Sequence, residues 1–551
     1  MRGMRTVRCT ARILRQVRRG AENPAAGGGA AVTAASDSRR IQSSVDSEHY
    51  DLLIIGGGIN GAGIARDAAG RGLKVLLVEQ NDLASATSSA STKLIHGGLR
   101  YLEYFEFRLV AEALAERETL LRIAPHIIWP LEFVLPHESH LRPAWMIRAG
   151  LFLYDHLGHR MLGFGSRSSL PMSKGVRLAG ESYGAGLKPE FERGFLYYDC
   201  WVDDARLVVL NARSAAAHGA TILTHTRFVS ARREGGEWAA SLNGERGSRS
   251  VRARAIVNAA GPWVRQVLDE ALKIKLPATV RLVKGSHIVV PRIHEERHAF
   301  ILQNPDRRVI FMIPYERQFT LVGTTDVPVT RDDYRAKISR TEIDYLCEAA
   351  SRYARNPITP GMVVWSYSGV RPLYDDGSEN PSAVTRDYHL LLDTGAEPDG
   401  APVLSVFGGK ITTYRKLAEQ AMEKLSGRFP GKPAWTHTEP LPGGNLNGLS
   451  FRGLLLDYRR RHPRLPKVWL TRVLRRHGAL AEEIIGDARE ERGLGSNFGG
   501  GLYERELEYL VRNEWARDAE DVLWRRTKCG LHMTTAEKTR VRDWLAEKAL
   551  S

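Results

Sequence analysis

The hydrophobic pattern changes abruptly about fifty residues into the chain. Asp51-Leu-Leu-Ile-Ile55 is a short apolar run ending in glycines, Ile59 to Gly70 reads as a helix, and Lys74-Val-Leu-Leu-Val-Glu79 is a second apolar strand. Strand, helix and strand in that order predict a β-α-β unit. A later strand, Ala255-Ile-Val-Asn258, stops at Ala259-Ala-Gly-Pro262. Between Thr279 and Val327, β-rich runs follow one another without helices of any length, which predicts an inserted antiparallel sheet. From about Leu449 the pattern turns helical, with Arg/Lys-rich faces and aromatic anchors such as Trp469 and Trp524.

This pattern predicts a discontinuous nucleotide-binding domain (about 50–130, 190–270 and 365–430). A β-rich domain is interleaved with it (about 131–189 and 271–364), and a helical domain follows over 431–551. Residues 1–49 hold nine arginines, no lysine and four acids, and Ala25 to Ala35 has no periodic apolar face. They read as a disordered leader. Such a start is similar to a mitochondrial transit peptide, with a misassigned start codon or a solvated tail as the plainer alternatives.

Composition narrows the classes. The chain has 551 residues, 43% of them hydrophobic, enough for sizeable cores and against a disordered or fibrous chain. Cys9, Cys200, Cys347 and Cys529 lie too far apart for a redox pair or a zinc knuckle, which indicates a reducing compartment and no metal site. No stretch approaches the roughly 20 apolar residues of a spanning helix. The formal charge of +16 fits nucleic acid, anionic lipid or an anionic substrate equally well.

Gly56-Gly-Gly58-Ile-Asn-Gly61 satisfies G-x-G-x-x-G directly after a strand and at the start of a helix. The first glycine makes the turn, the second lets backbone approach a pyrophosphate, and the third permits close packing of helix on strand. Glu79 ends the second strand, 18 residues past Gly61, where a carboxylate can accept from an adenosine ribose and disfavours a 2′-phosphate. FAD or NAD is therefore favoured over NADP. The small-residue loop Ala86 to Gly98 suits passage beneath a flat ring, and Phe407-Gly-Gly-Lys-Ile-Thr-Thr413 offers a second close approach of backbone. A second G-x-G-x-x-G is lacking, which favours a substrate-oxidising flavoenzyme.

These residues resemble the FAD-dependent glycerol-3-phosphate dehydrogenases, in their bacterial respiratory form. The resemblance rests on IIGGGINGAGIARDAAGRGL (54–73), ATSSASTKLIHGGLRYLE (86–103), DCWVDDARL (199–207), KGSHIVV (284–290), VGTTDV (322–327), YSGVRPL (367–373), TRDY (385–388), FGGKITTYRKLAE (407–419) and LWRRTK (523–528). It implies an α/β fold, α+β overall. A glutathione-reductase-type, Rossmann-like FAD domain would be interleaved with an antiparallel substrate domain and followed by a helical C-terminal domain.

The resemblance also implies oxidation of sn-glycerol 3-phosphate to dihydroxyacetone phosphate by hydride transfer to FAD, with electrons passed to a ubiquinone-type acceptor. Members sit on the cytoplasmic face of the inner membrane, on an anionic surface, and form homodimers. FAD contacts would come from Gly56, Gly58, Asn60, Gly61, Glu79, Thr87, Ser88, Ser91, Thr92, Lys93, Leu94, His96, Gly97 and Gly98. Val229, Ala260, Gly261, Gly409, Lys410, Ile411 and Thr412 complete that set.

A phosphorylated substrate needs cations in fork geometry. Arg100 and Arg371 follow glycine-containing turns and match the family's substrate arginines, and Lys410 and Thr413 add a charge and a hydroxyl. Oxidation at a carbinol carbon also needs a base, for which His287 is the candidate. A lone histidine in an apolar strand is more often a core residue. Tyr101 is expected to contribute a pocket hydroxyl, and His96 to pack against the flavin. The pair Asp203-Asp204 reads as structural hydrogen bonding.

His140 to Tyr154 combines Trp145, Met146, Ile147, Leu151, Phe152 and Leu153 with Arg142 and Arg148, as a segment resting in a headgroup layer would. Nine basic residues from Arg452 to Arg476 read as a solvated helical face, with lipid contact second and no nucleic-acid module. Two rivals remain: a flavin oxidase acting on an amine, and a flavin-carrying sensor without turnover.

Overall fold

In the computed structural model, which describes residues 48–550 apart from 139–141, 163–167, 246, 307, 332–336, 376–386 and 396–399, the chain starts on a strand. β1 (Glu48–Ile55) is already in register at Glu48, two residues before the expected onset of order. The rest of the expected leader lies outside the described residues. β1 is followed by α1 (Ile59–Gly70) and β2 (Val75–Val78).

β1 lies between β2 and the strand Gly247–Asn258, parallel to both. Val403–Phe407 adds a further parallel strand beyond Gly247–Asn258, and Thr221–Leu223 adds one beyond β2. This is the centre of an eight-stranded sheet. Leu52 and Ile54 point to the face covered by α1, Asp204–Ala217 and Tyr414–Lys424. Leu53 and Ile55 point to the other, covered by Trp238 and the segment from Val264 to Leu272. Residues buried on both faces explain why these strands are uninterrupted apolar runs.

The second sheet has ten strands, mostly antiparallel, and Val280–Pro291 is its organising member. One edge of that strand pairs with Trp365–Tyr374, the other with Phe319–Gly323 and Val327–Val329. The predicted β-rich insertion is therefore present. The sheet also takes in Arg193–Val202 and Trp365–Tyr374, spans that the sequence placed with the nucleotide-binding part. Their pairing follows register across the sheet, which local composition does not encode.

Helices Phe451–Arg461, Lys467–His477, Glu504–Glu514 and Thr535–Leu550 surround a core of Leu470, Val473, Leu474, Ile485, Leu507 and Leu510. The solvated face expected from Arg452 to Arg476 holds only in part. Arg476 is buried and donates to Glu506 at 2.9 Å, and the Arg475 guanidinium lies over the rings of Trp129 (4.3 Å) and Phe451 (3.5 Å). Burial pulls Arg475 down to about 9.

Buried ion pairs fasten these helices to the nucleotide-binding sheet. Arg206, from the helix Asp204–Ala217, pairs with Glu514, and both side chains are fully buried. Arg526 donates to both oxygens of Asp82 at 2.6 and 2.7 Å. Removing one partner of such a pair strands a charge in a low-dielectric interior, at a cost of about 3–5 kcal/mol. Glu514→Ala should lower the unfolding free energy by about 3 kcal/mol in urea denaturation. An unchanged midpoint would mean that the pair contributes nothing net.

Candidate functional site

A cleft of about 620 Å³ opens at the carboxyl ends of β1 and β2. That volume suits a sizeable ligand, and its position is where parallel sheets bind nucleotides. Its wall includes Gly56, Gly58, Asn60, Glu79, Thr87, Ser88, Val229, Ala260, Gly261 and Gly409. Gly56 has φ +111°, and a Cβ there would meet Ala259 O at 2.5 Å; a Cβ on Gly61 would meet Gly56 O at 1.9 Å. Backbone thus closes on backbone around the turn, as a pyrophosphate cradle requires.

Glu79 sits at the wall as predicted. Its Oε2 accepts from Gly57 N at 2.7 Å and its Oε1 from Asn81 N at 2.9 Å, leaving lone pairs for a sugar hydroxyl. Burial raises its carboxyl, and the two backbone donors oppose that rise. Asn60 donates to Gly408 O at 3.1 Å, while its Oδ1 is buried without a partner. An orphaned acceptor beside the glycine turn fits a ligand that donates hydrogen bonds. The residues present therefore fit a long dinucleotide.

In the loop from Ala86 to Gly98, Thr87 and Ser88 line the cleft, whereas the side chains of Ser91 and Lys93 are held by protein groups. Lys93 is fully buried, and its ammonium donates to both oxygens of Asp204 at 2.9 Å and to Ser89 O at 3.0 Å. Its side chain is thus committed to protein and turned away from the cleft. Ser91 donates to Asp204 through both N (3.2 Å) and Oγ (2.7 Å). Leu94 is buried in a two-residue strand opposite Trp201, and Gly97 N donates to Tyr154 OH at 2.8 Å. His96 N donates to Thr412 Oγ1 at 3.4 Å, joining this loop to the one that carries Lys410. Asp203 caps the helix that follows it and faces Lys528 at 3.3 Å, so the acid pair is bound to protein cations and backbone.

The candidate substrate groups converge on one face of the second sheet. His287 pairs with Tyr367, Gly285 with Gly369 and Val283 with Arg371, so all six project to the same side. His287 is buried, stacks on Tyr367 (centroids 4.8 Å, 18°) and has Nε2 3.0 Å from Thr92 Oγ1. Its Nδ1 is buried without a partner among the described residues. Burial holds its pKa well below the usual imidazole range, and the charges of Arg371 and Lys93 add to that depression.

Arg371 is ion-paired with Asp326, and its Nη2 donates to Thr324 Oγ1 at 3.2 Å. A Cβ on Gly285 would lie 2.5 Å from that Nη2, so the guanidinium rests across Gly285. Gly285 is two residues from His287, hence about 7 Å along the strand. Arg100 and Tyr101 lie on the turn Leu99–Tyr104, where the Lys410 ammonium stands 4.2 Å over the Tyr101 ring. Arg100 has no ion-pair partner among the described residues. Thr413 is buried at the start of the helix Tyr414–Lys424, with Ile411 half-buried two residues before it. Sequence reasoning missed Asp326, Thr324 and Tyr367, although all three fall inside the strings VGTTDV and YSGVRPL.

Residues 51–415 match the family described as FAD dependent oxidoreductase, and residues 434–548 match the C-terminal domain of alpha-glycerophosphate oxidase. The chain is 52% identical over 503 residues to the aerobic glycerol-3-phosphate dehydrogenase of Escherichia coli (strain K12), covering 91% of this chain and 98% of that protein. It is 51% identical over 502 residues to the D-erythritol 1-phosphate dehydrogenase of Brucella abortus (strain 2308), with the same 91% and 98% coverage. The crystal structure of the glycerol-3-phosphate dehydrogenase from Bacillus halodurans complexed with FAD superposes with a TM-score of 0.66 at 26% identity, over 91% of this chain and 94% of that one.

Gly61→Ala should yield protein that purifies without flavin, because its Cβ and Gly56 O cannot share 1.9 Å. The visible flavin absorbance per chain reads this directly, and full loading would contradict the cradle.

Proposed function

The chain belongs to the FAD-dependent oxidoreductases, and from that premise we propose that it oxidises the secondary hydroxyl of sn-glycerol 3-phosphate to give dihydroxyacetone phosphate, passing the electrons to a membrane quinone. FAD, when bound, supplies the two-electron acceptor. The observation that carries the reading is the sheet face on which a guanidinium lies across Gly285, about 7 Å along the strand from His287. That spacing suits a three-carbon substrate whose phosphate rests on Arg371 while its central hydroxyl lies toward His287. Arg100 and Lys410 add positive charge at the turn beside it.

His287 has a defined protonation state in this arrangement. Burial and the two cations favour the neutral ring, the form that can accept a proton. A phosphate dianion on Arg371 would offset the guanidinium charge and raise the proton affinity of the imidazole. The base is then strengthened by the substrate that needs it. Asp326 and Thr324 hold the guanidinium in place over the glycine floor.

The membrane side of the proposal rests on an exposed apolar patch. No helix among the described residues is long and apolar enough to cross a membrane. On the helix Ala144–Leu162, Trp145 is 70% exposed and Phe152 55%, with Met146 and Leu153 also open, whereas Leu151 turns into the core. Beside it, the turn that holds Arg100 and Tyr101 continues into Tyr104, Phe105 (78% exposed) and Phe107. An apolar patch of this kind marks an interaction surface. Aromatic side chains of this length reach the headgroup layer, which brings the pocket rim to where a quinone resides.

Anaerobic addition of glycerol 3-phosphate should bleach the flavin, and a soluble quinone should restore it. Arg371→Ala should raise KM at least about 100-fold with flavin still bound, as loss of a charged phosphate contact worth ~3 kcal/mol implies. Bleaching by D-erythritol 1-phosphate alone would replace the substrate, and bleaching by an amino acid alone would replace the reaction. In flotation, the protein should rise with anionic vesicles and the double variant Phe105→Ser, Trp145→Ser should stay behind. Equal flotation of both would move the contact elsewhere.

A further inference from the structure

His287 is the candidate base, yet the structure closes it off. The residue is only 1% exposed, one ring face is stacked on Tyr367, Nδ1 is sealed, and Gly323 lies so close that a Cβ there would sit 2.1 Å from Cδ2. The group in contact with its remaining nitrogen is the hydroxyl of Thr92, 3.0 Å from Nε2. Thr92 itself is half-buried, so it keeps an open side where the imidazole has none.

The chain around Thr92 is fixed with unusual care. Asp204 accepts from Ser91 N, Ser91 Oγ and Lys93 Nζ. Ser91 O accepts from Tyr367 OH at 2.8 Å, Ser91 Oγ accepts from Lys93 N at 2.9 Å, and Lys93 O accepts from Val202 N at 3.0 Å. Lys93 adopts φ +61°, a left-handed conformation that a side chain of its kind rarely takes. Both neighbours of Thr92 are therefore anchored to buried groups, and the Tyr367 that anchors one of them also carries the imidazole on its ring.

We propose that Thr92 is a catalytic residue whose hydroxyl stands between the substrate and His287 and relays the proton to Nε2. The proposal rests on the polyol-phosphate reading above and deepens it. In the step, the secondary O–H bond of the substrate breaks and an O–H bond forms on Thr92. The original Thr92 O–H bond breaks and an N–H bond forms at Nε2. FAD, when bound, would take the C2 hydride and its two electrons as C2–O becomes C=O. The charged and titratable groups facing the ring are Lys93 from the loop and Arg371 and Tyr367 from the adjacent strand, with Asp204 and Asp326 as counter-ions of the two cations. Asp204 and its contacts position Thr92 and take no part in the transfer.

The test compares Thr92→Val, which keeps the shape and removes the hydroxyl, with Thr92→Ser, which restores it. In anaerobic stopped flow on the FAD-loaded enzyme, Thr92→Val should slow flavin reduction by about 100-fold, the low end of general-base effects. Its half-saturating substrate concentration should change less than about threefold. Thr92→Ser should recover the rate to within about tenfold of wild type. Mixed H₂O/D₂O measurements on wild type should curve as expected for two protons in flight.

A readout without turnover comes from the imidazole nitrogens of 15N-histidine-labelled holoenzyme, with His287 assigned by its loss in His287→Gln. Thr92→Val should shift the Nε2 resonance and Thr92→Ser should return it. Wild-type reduction rates in Thr92→Val overturn the relay. An altered flavin spectrum or affinity in both variants, with the His287 resonance unmoved, assigns the hydroxyl to the flavin and overturns it equally. If glycerol 3-phosphate fails to reduce wild type, the substrate reading falls on its own, and the same comparison is made with the polyol phosphate that does.

Discussion

A single buried carboxylate holds the catalytic half of this molecule together. Asp204 stands at the start of the helix that packs on α1, directly after a strand of the second sheet, and it binds the Lys93 ammonium with both oxygens. The loop it grips crosses from the nucleotide-binding sheet to the second sheet, which it joins at Leu94–Ile95. Two sheets with separate hydrophobic faces have no intrinsic reason to meet at a fixed angle. A buried ion pair supplies one, because its geometry must be right for desolvation to be repaid. That contact, with the Tyr367 hydroxyl on Ser91 O, sets where the Thr92 hydroxyl stands relative to the imidazole.

The site combines opposite electrostatic strategies within a short distance. Arg371 keeps a counter-ion in Asp326, so its charge is present but shared, and under the proposed reading a phosphate would enter as a third participant in an existing pair. His287 has no acid beside it among the described residues, and desolvation favours its neutral ring. Two paired glycines lie on this face: the missing side chain of Gly285 leaves the surface over which the guanidinium lies, and that of Gly369 admits the loop at Ala90. The guanidinium and the imidazole are thereby kept on one rigid sheet face, where pre-organisation costs little motion.

Elements whose signal is local were legible in the sequence. The helix Ile59–Gly70 falls where apolar spacing puts it, and the glycine turn with Glu79 forms the cleft wall. Relations over long separations were not legible. Arg371 finds Asp326 45 residues away, and Arg526 finds Asp82 444 residues away. A charge in a sequence has no direction, so Arg475 and Arg476 looked like a solvated stripe although their helix turns them inward. Lys93 carried the same ambiguity: it sits in a loop that faces the cofactor cleft, yet its side chain points away from it. Strands Arg193–Val202 and Trp365–Tyr374 joined the second sheet because backbone register decides pairing, and register leaves no trace in composition.

The ion pairs to the C-terminal helices bear on how the chain matures. Asp82 lies in the loop just past β2, but the arginines that pair with it, Arg525 and Arg526, come 443 and 444 residues later in the chain. Until they emerge from the ribosome, the early sheet carries a carboxylate destined for burial with nothing to bury it against. The loop after β2 therefore gains its full set of contacts only once those arginines have been made. A chain stopped before Arg525 would lose more than the last helix: it would leave Asp82 without both guanidinium partners, at a cost of about 3–5 kcal/mol.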